Sequence, residues 1–255
     1  MCGICGCNQT DHDGDAQRHG PAHARRLQVE LDLFSLNDRH AQANRERFAS
    51  QQVLVLNLMS SPGSGKTALL SETLPAQQAK WPVAVIEGDQ QTQNDAERIR
   101  ATGVRAVQIN TGKLCHLDAH LVGHAVDELE DFERGVLYIE NVGNLVCPAG
   151  FDLGEAARVV ILSVTEGDDK PLKYPDIFHS AQLMVINKID LAPYVDFDQA
   201  QCIANARRIN PDIEVIALSA RTGEGLQDWQ AWVEQRYRER ISRQCACASD
   251  QQAPC

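Results

Sequence analysis

The residues Ser60-Ser61-Pro62-Gly63-Ser64-Gly65-Lys66-Thr67 carry the most specific chemistry in this chain. They follow the apolar run 53–59 and open a helix-compatible segment, Ala68-Leu69-Leu70-Ser71-Glu72. A β-rich run, a Gly-rich turn and a Lys-Thr pair opening a helix form the layout of a phosphate-binding loop. Gly63 and Gly65 let backbone N–H groups turn inward around an anion, and the helix N-terminus adds partial positive charge. Lys66 reaches for the β- and γ-phosphates, the Thr67 hydroxyl is a ligand for Mg²⁺, and Ser64 and Ala68 complete the cradle. The consensus begins with Gly where this chain has Ser60; the Gly65-Lys66-Thr67 core is intact.

Acidic residues at the ends of later apolar runs suit the same site. Asp89 closes Glu87-Gly88-Asp89, and Glu140 opens Glu140-Asn141-Val142-Gly143-Asn144. Mg²⁺ takes hard oxygen ligands and keeps several waters. Asp89 and Glu140 are therefore assigned to the metal or its water shell, and either could instead orient an attacking water. Lys66, Asp89 and Glu140 are the expected catalytic groups. Asn187-Lys188-Ile189-Asp190 matches the NKxD guanine signature. A carboxylate at Asp190 accepts from both N1–H and N2–H of guanine, a donor pair that adenine lacks. Ser219-Ala220-Arg221 resembles the loop whose backbone amide reaches guanine O6, with Arg221 in place of the usual Lys. The three motifs in this order make GTP the expected nucleotide and ATP the weaker alternative.

Sulfur supplies a second chemistry. The nine cysteines sit mostly in close-spaced clusters, a pattern that favours metal ligation over disulfides. Cys2, Cys5 and Cys7 lie close enough for one ion to collect three thiolates. A backbone nitrogen or the terminal amine as fourth donor gives a square-planar set that Ni²⁺ accepts and Zn²⁺ does not favour. Adventitious zinc or a redox-labile thiol cluster is the alternative. Cys115 and His116 follow the third apolar run and Cys147 follows the fourth. With those strands side by side, the three would meet near the γ-phosphate. His116, His120 and His124 step by four along a helix, either a solvated stripe or an extra nickel relay. Cys202 reads as core. Cys245, Cys247 and Cys255 form either a further soft-metal site or unstructured thiols.

Near-continuous apolar runs at 53–59, 83–87, 104–108, 136–140, 159–164, 183–187 and 214–218 position these groups. Helix candidates lie between most of them, for example 95–102 closed by Gly103, and 227–240. The pattern predicts an α/β fold of the P-loop NTPase class, a mostly parallel sheet with helices on both faces. Ligands in such sheets bind at the strand C-terminal ends, where each motif falls. The expected organisation is a flexible metal-binding tip and tether over 1–26, a GTPase domain over 27–240 and a Cys-bearing tail over 241–255. Leu27, Leu31 and Phe34 predict a lead-in helix. A net charge of −11 without a basic patch argues against nucleic acid. No stretch has the ~18 apolar residues of a membrane span, and no signal peptide is apparent, so the cytoplasm is expected.

Three features together resemble one family: Cys2-Gly3-Ile4-Cys5-Gly6-Cys7, Leu114-Cys115-His116-Leu117, and Glu140-Asn141-Val142-Gly143-Asn144-Leu145-Val146-Cys147-Pro148. The chain is similar to the hydrogenase nickel-incorporation GTPases, in the nickel-chaperone branch of P-loop GTPases that also holds the urease accessory GTPase. The resemblance covers roughly residues 27 to 240. It implies slow GTP hydrolysis coupled to loading of nickel into the [NiFe] hydrogenase large-subunit precursor, with a zinc-bearing HypA-type nickel chaperone as partner. It also implies a homodimer with Leu191 and Val195 at its interface. Cys115, His116 and Cys147 would form a nickel or zinc site at a dimer interface, on a switch loop. The alternatives are nickel storage, disfavoured because His12, His19 and His23 are only scattered, or service to another nickel enzyme such as urease.

Overall fold

The computed structural model describes the backbone over residues 21–89, 94–112 and 114–250, and side chains over 32–89, 94–112 and 114–242. Cys2, Cys5, Cys7 and Cys255 lie outside the described residues, as do the side chains of Cys245 and Cys247. The chain divides into two compact units, Met1–Ser35 and Leu36–Cys255.

In chain order the elements are α1 (Pro21–Ser50), β1 (Leu54–Ser60), α2 (Lys66–Gln78), β2 (Val83–Asp89), α3 (Asn94–Arg100), β3 (Arg105–Asn110) and α4 (Ala119–Asp127). They continue with β4 (Val136–Glu140), β5 (Ala157–Ser163), α5 (Lys170–Lys173), α6 (Pro175–Ser180), β6 (Leu183–Asn187), α7 (Gln199–Ile209), β7 (Glu214–Ala217) and α8 (Leu226–Asp250). Short 3₁₀ turns occupy Cys147–Gly150 and Ile189–Tyr194. Every expected strand is present, and all strand pairs are parallel. The sheet order is β3-β2-β4-β1-β5-β6-β7.

Alternation along the strands builds apolar cores on both faces. Leu54, Leu56 and Leu58 pack with Leu69, Leu70, Trp229 and Val233 of α2 and α8. Val53 and Val55 face the other way, onto Phe48 of α1 and Val122 of α4. A third cluster joins β5 and β6 to Phe178 of α6 and to Cys202 and Ala206 of α7. Burial there pushes the Cys202 thiol up to about 12, in keeping with a core residue.

Three expectations change. β3 and β4 are not neighbours, because β2 lies between them. The chain after β3 crosses the end of β2 instead. Gly88 permits that crossing, since a Cβ there would lie 2.8 Å from the Leu117 side chain. Second, His116 precedes α4 rather than lying on it: the Asp118 side chain caps the helix by accepting from the Leu121 N–H. Only His120 and His124 share the helix; their rings stand 4.5 Å apart, and His120 also faces His40 at 4.8 Å. Third, α8 runs well past residue 240, to Asp250.

Candidate nucleotide and metal site

The phosphate loop is held from several sides. Gly65 caps α2 with a φ of 99°, a left-handed conformation that favours glycine. A Cβ there would collide with Asn187 Nδ2. That nitrogen donates to the Ser64 carbonyl at 2.8 Å, and Lys188 Nζ donates to the Gly63 carbonyl at 2.6 Å. The end of β6 thus clamps the loop. Ser64 Oγ lies 2.7 Å from both the Ser61 carbonyl oxygen and Glu166 Oε1. Ser60 proves useful: its Oγ accepts from Lys66 Nζ at 2.7 Å, giving the buried ammonium a neutral partner inside the loop.

A cleft of about 580 Å³ opens above the strand ends, bordered by Gly63, Lys66, Thr67, Asp89, Glu140 and Lys188. Thr67 Oγ1 donates to Glu140 Oε1 at 2.7 Å. Glu140 Oε2 is buried with no hydrogen-bond partner among the described residues. Burial raises the Glu140 pKa, against Lys66 and Thr67, which lower it. Burial lowers the Lys66 pKa, with Glu140 opposing. Hydroxyl and carboxylate oxygens converging beside a lysine make a donor set suited to Mg²⁺.

Sequence reading missed Glu87. It pairs in register with Glu140 across β2 and β4 and is 2% exposed, with Oε2 unpartnered among the described residues. Burial, and then the neighbouring Glu140 and Asp89 charges, push its pKa to about 8. Its signal was available: Glu87 and Asp89 are two apart on a strand and so share one face. Asp95 and Arg98 of α3 also border the cleft. Neither adjoins a recognised motif.

The guanine motifs converge as their order suggests. Asn187 Oδ1 accepts from the Lys188 and Ala220 N–H groups at 2.7 and 3.2 Å. Ser219 Oγ donates to Asp190 Oδ1 at 2.6 Å and accepts from the Thr222 N–H at 3.1 Å. The two hydroxyl bonds tie the 219–222 loop to the orientation of the Asp190 carboxylate. Arg221 is exposed.

Beside this cleft, Cys115, His116 and Cys147 bring one ligand atom each to within 4.8 Å of one another. Cys115 Sγ and Cys147 Sγ are 2.8 Å apart, and His116 Nδ1 is 3.7 Å from the Cys115 sulfur. The His116 ring stacks on Phe151 with centroids 3.9 Å apart. Burial lowers the His116 pKa, keeping the imidazole neutral and ligand-ready at pH 7, while burial and Cys147 raise that of Cys115. Binding an ion here therefore releases a proton from Cys115. Two thiols and an imidazole suit a borderline transition ion such as Ni²⁺ or Zn²⁺. Leu191 and Val195 pack partly against the β5–β6 cluster, and Pro193 and Tyr194, the latter 83% exposed, face outward on that turn.

Comparison with known proteins agrees with this geometry. Residues 54–217, more than half the chain, match the model described as "CobW/HypB/UreG, nucleotide-binding domain". The chain is 62% identical over 230 residues to the hydrogenase maturation factor HypB of Azotobacter vinelandii, covering 89% of this chain and 76% of that protein. The crystal structure of HypB from Helicobacter pylori in complex with nickel superposes with a TM-score of 0.76 at 41% identity, over 80% of this chain and 95% of that one. HypB from Archaeoglobus fulgidus gives 0.75 at 41%, over 80% and 99%. With the nucleotide cleft and thiol cluster in place, these matches show that the chain belongs to the CobW/HypB/UreG family, in its HypB branch.

Proposed function

We propose that this protein is a GTP-hydrolysing nickel metallochaperone that loads nickel into a hydrogenase large-subunit precursor, with metal grip set by nucleotide state. One observation carries the reading: Glu140, bonded to Thr67 of the phosphate loop, and Cys147, 2.8 Å from Cys115, bound the two ends of one short loop. A γ-phosphate beside Lys66 acts on the start of that loop, and the cluster lies at its end. The names of the relatives, hydrogenase maturation factors, and the nickel complex of the Helicobacter protein support nickel as the cargo.

In this reading Lys66 stabilises charge developing on the γ-phosphate as water attacks in line. Thr67 with Glu140 or Asp89 holds Mg²⁺, which when bound neutralises the phosphate oxygens. Asp190 reads guanine. Cys2, Cys5 and Cys7 would form a second nickel site, and Zn²⁺ competes at Cys115, His116 and Cys147. A homodimer formed through Leu191 and Val195, a zinc-bearing HypA-type partner and a cytoplasmic setting complete the proposal.

The test is nickel transfer from the loaded full-length chain to a hydrogenase large-subunit precursor in the presence of GTP. Cys147→Ala should cut GTP-dependent transfer at least tenfold while leaving GTP affinity within about twofold, since two retained ligands hold an ion poorly. Undiminished transfer would remove this cluster from the delivery route.

A further inference from the structure

One set of buried polar groups lies outside the phosphate, guanine and metal-ligand sets. Asn57 sits in the middle of β1, fully buried in a strand otherwise apolar up to Ser60. Burying an amide is costly unless both its ends are bonded, and here they are. Asn57 Nδ2 donates to Glu155 Oε1 at 3.3 Å, and Asn57 Oδ1 accepts from Asn141 Nδ2 at 3.3 Å. Asn141, 1% exposed, follows Glu140 directly. Its Oδ1 accepts from the Val142 N–H at 3.0 Å and from the Leu117 N–H at 3.1 Å.

Both ends of this chain grip a ligand-bearing segment. Leu117 is the residue after His116. At the far end, Arg158 Nε donates to Glu155 Oε1 at 2.6 Å. The same guanidinium donates to the carbonyls of Ala149 and Phe151 at 2.9 and 3.1 Å. Those carbonyls belong to the turn that starts at Cys147 and to the residue stacked on His116. The route from Leu117 through Asn141, Asn57, Glu155 and Arg158 thus returns to the cluster from its opposite side.

We infer that Asn141 and Asn57 are positioning residues that carry the nucleotide-dependent setting of the 140–147 loop to both halves of the Cys115–His116–Cys147 cluster. The inference rests on the GTP-coupled reading above and names its relay. Asn141 stands between Glu140, anchored on Thr67, and Gly143, where a Cβ would lie 2.9 Å from Pro62 Cα of the phosphate loop. Any displacement of that loop by a γ-phosphate moves the amide of Asn141. Because the amide accepts from Leu117 and donates to Asn57, it shifts the His116 side directly and the Cys147 turn through Arg158. The amide supplies an acceptor and a donor on separate atoms, one for each neighbour. Asp at 141 cannot donate to Asn57, and Ser at 57 is too short to bridge to Glu155.

Coupling is the ratio of nickel dissociation constants in the GDP and non-hydrolysable GTP-analogue states. It is read on the full chain from nickel–thiolate charge-transfer absorption, counting the part that Cys147→Ser abolishes. We expect a ratio differing from one by about fivefold or more in the parent chain. Asn141→Asp, and separately the milder Asn57→Ser, should bring it within about twofold of one. Nickel affinity in the GDP state and analogue affinity should change less than about threefold, which a general loss of structure would not allow. A coupled parent whose two variants stay coupled would overturn the relay and leave the proposed function standing. A parent with a ratio of one would overturn both.

Discussion

At the residue scale the site is a set of buried ionisable groups that shift one another's protonation. Glu87 and Glu140 lie side by side at the strand ends, with Lys66 as the nearby cation inside the phosphate loop. In the unfolded chain Glu87 ionises near 4.5, and in the folded chain near 8. Between those values folding takes up a proton, so stability falls as pH rises through the window. Without Mg²⁺ and nucleotide, the urea midpoint should drop between pH 5 and 8, and Glu87→Gln should remove part of that drop. Glu140, shifted in the same direction, adds to the drop, and His116, shifted down by burial, opposes it. An unchanged slope in Glu87→Gln would mean that Glu87 is already ionised when folded. Lys66, Thr67, Asn187 and Asp190 were legible in the sequence as candidates, because they belong to motifs of fixed spacing. Asn57 and Asn141 were not, since what singles them out is burial and partners supplied by distant strands, and Glu87 was marked only by sharing a strand face with Asp89.

At the scale of elements, the sheet places the phosphate loop, Asp89, Glu140 and the Asn187–Asp190 motif at the C-terminal ends of its strands, and the loops decide what meets. The strands were readable because buried parallel strands are near-continuous apolar runs. Their order was not, because nothing in those runs says that β2 separates β3 from β4. Gly88 is the feature that lets the chain cross β2 and bring Cys115 to Cys147 despite that separation. The helical spacing of the histidines misled because Asp118, a capping residue in plain view, starts α4 two residues after His116. Asn37 and Asn44 of α1 secure the loops flanking the cluster: Asn37 accepts from the Ala119 N–H at 2.9 Å, and Asn44 donates to the Leu153 carbonyl at 3.1 Å. Gly143 marks the contact between loop and phosphate cradle. A Cβ there meets Pro62 backbone at 2.9 Å, so Gly143→Ala must push the loop off the cradle. Hydrolysis should fall at least tenfold with little change in melting temperature. Full activity in that variant would show that hydrolysis does not need this close approach.

At the scale of the whole molecule, the proposal asks the chain to work as a pair. Leu191 and Val195 are only partly covered by their own core, beside exposed Tyr194. Replacing both Leu191 and Val195 by Ala should cost about 1–2 kcal/mol of stability and shift the GTP-bound chain toward monomer in sedimentation. A dimer that persists would assign the patch to internal packing alone.

The central claim is that a nucleotide's terminal phosphate sets how firmly two sulfurs and an imidazole hold a transition ion. Nickel affinity of the intact chain, measured by chelator competition with bound GDP and again with a non-hydrolysable GTP analogue, tests it most directly. The account predicts at least one tight equivalent whose affinity changes about fivefold or more between the two states, and no such change once Cys147 is replaced by Ala. Identical affinities in both states would contradict it.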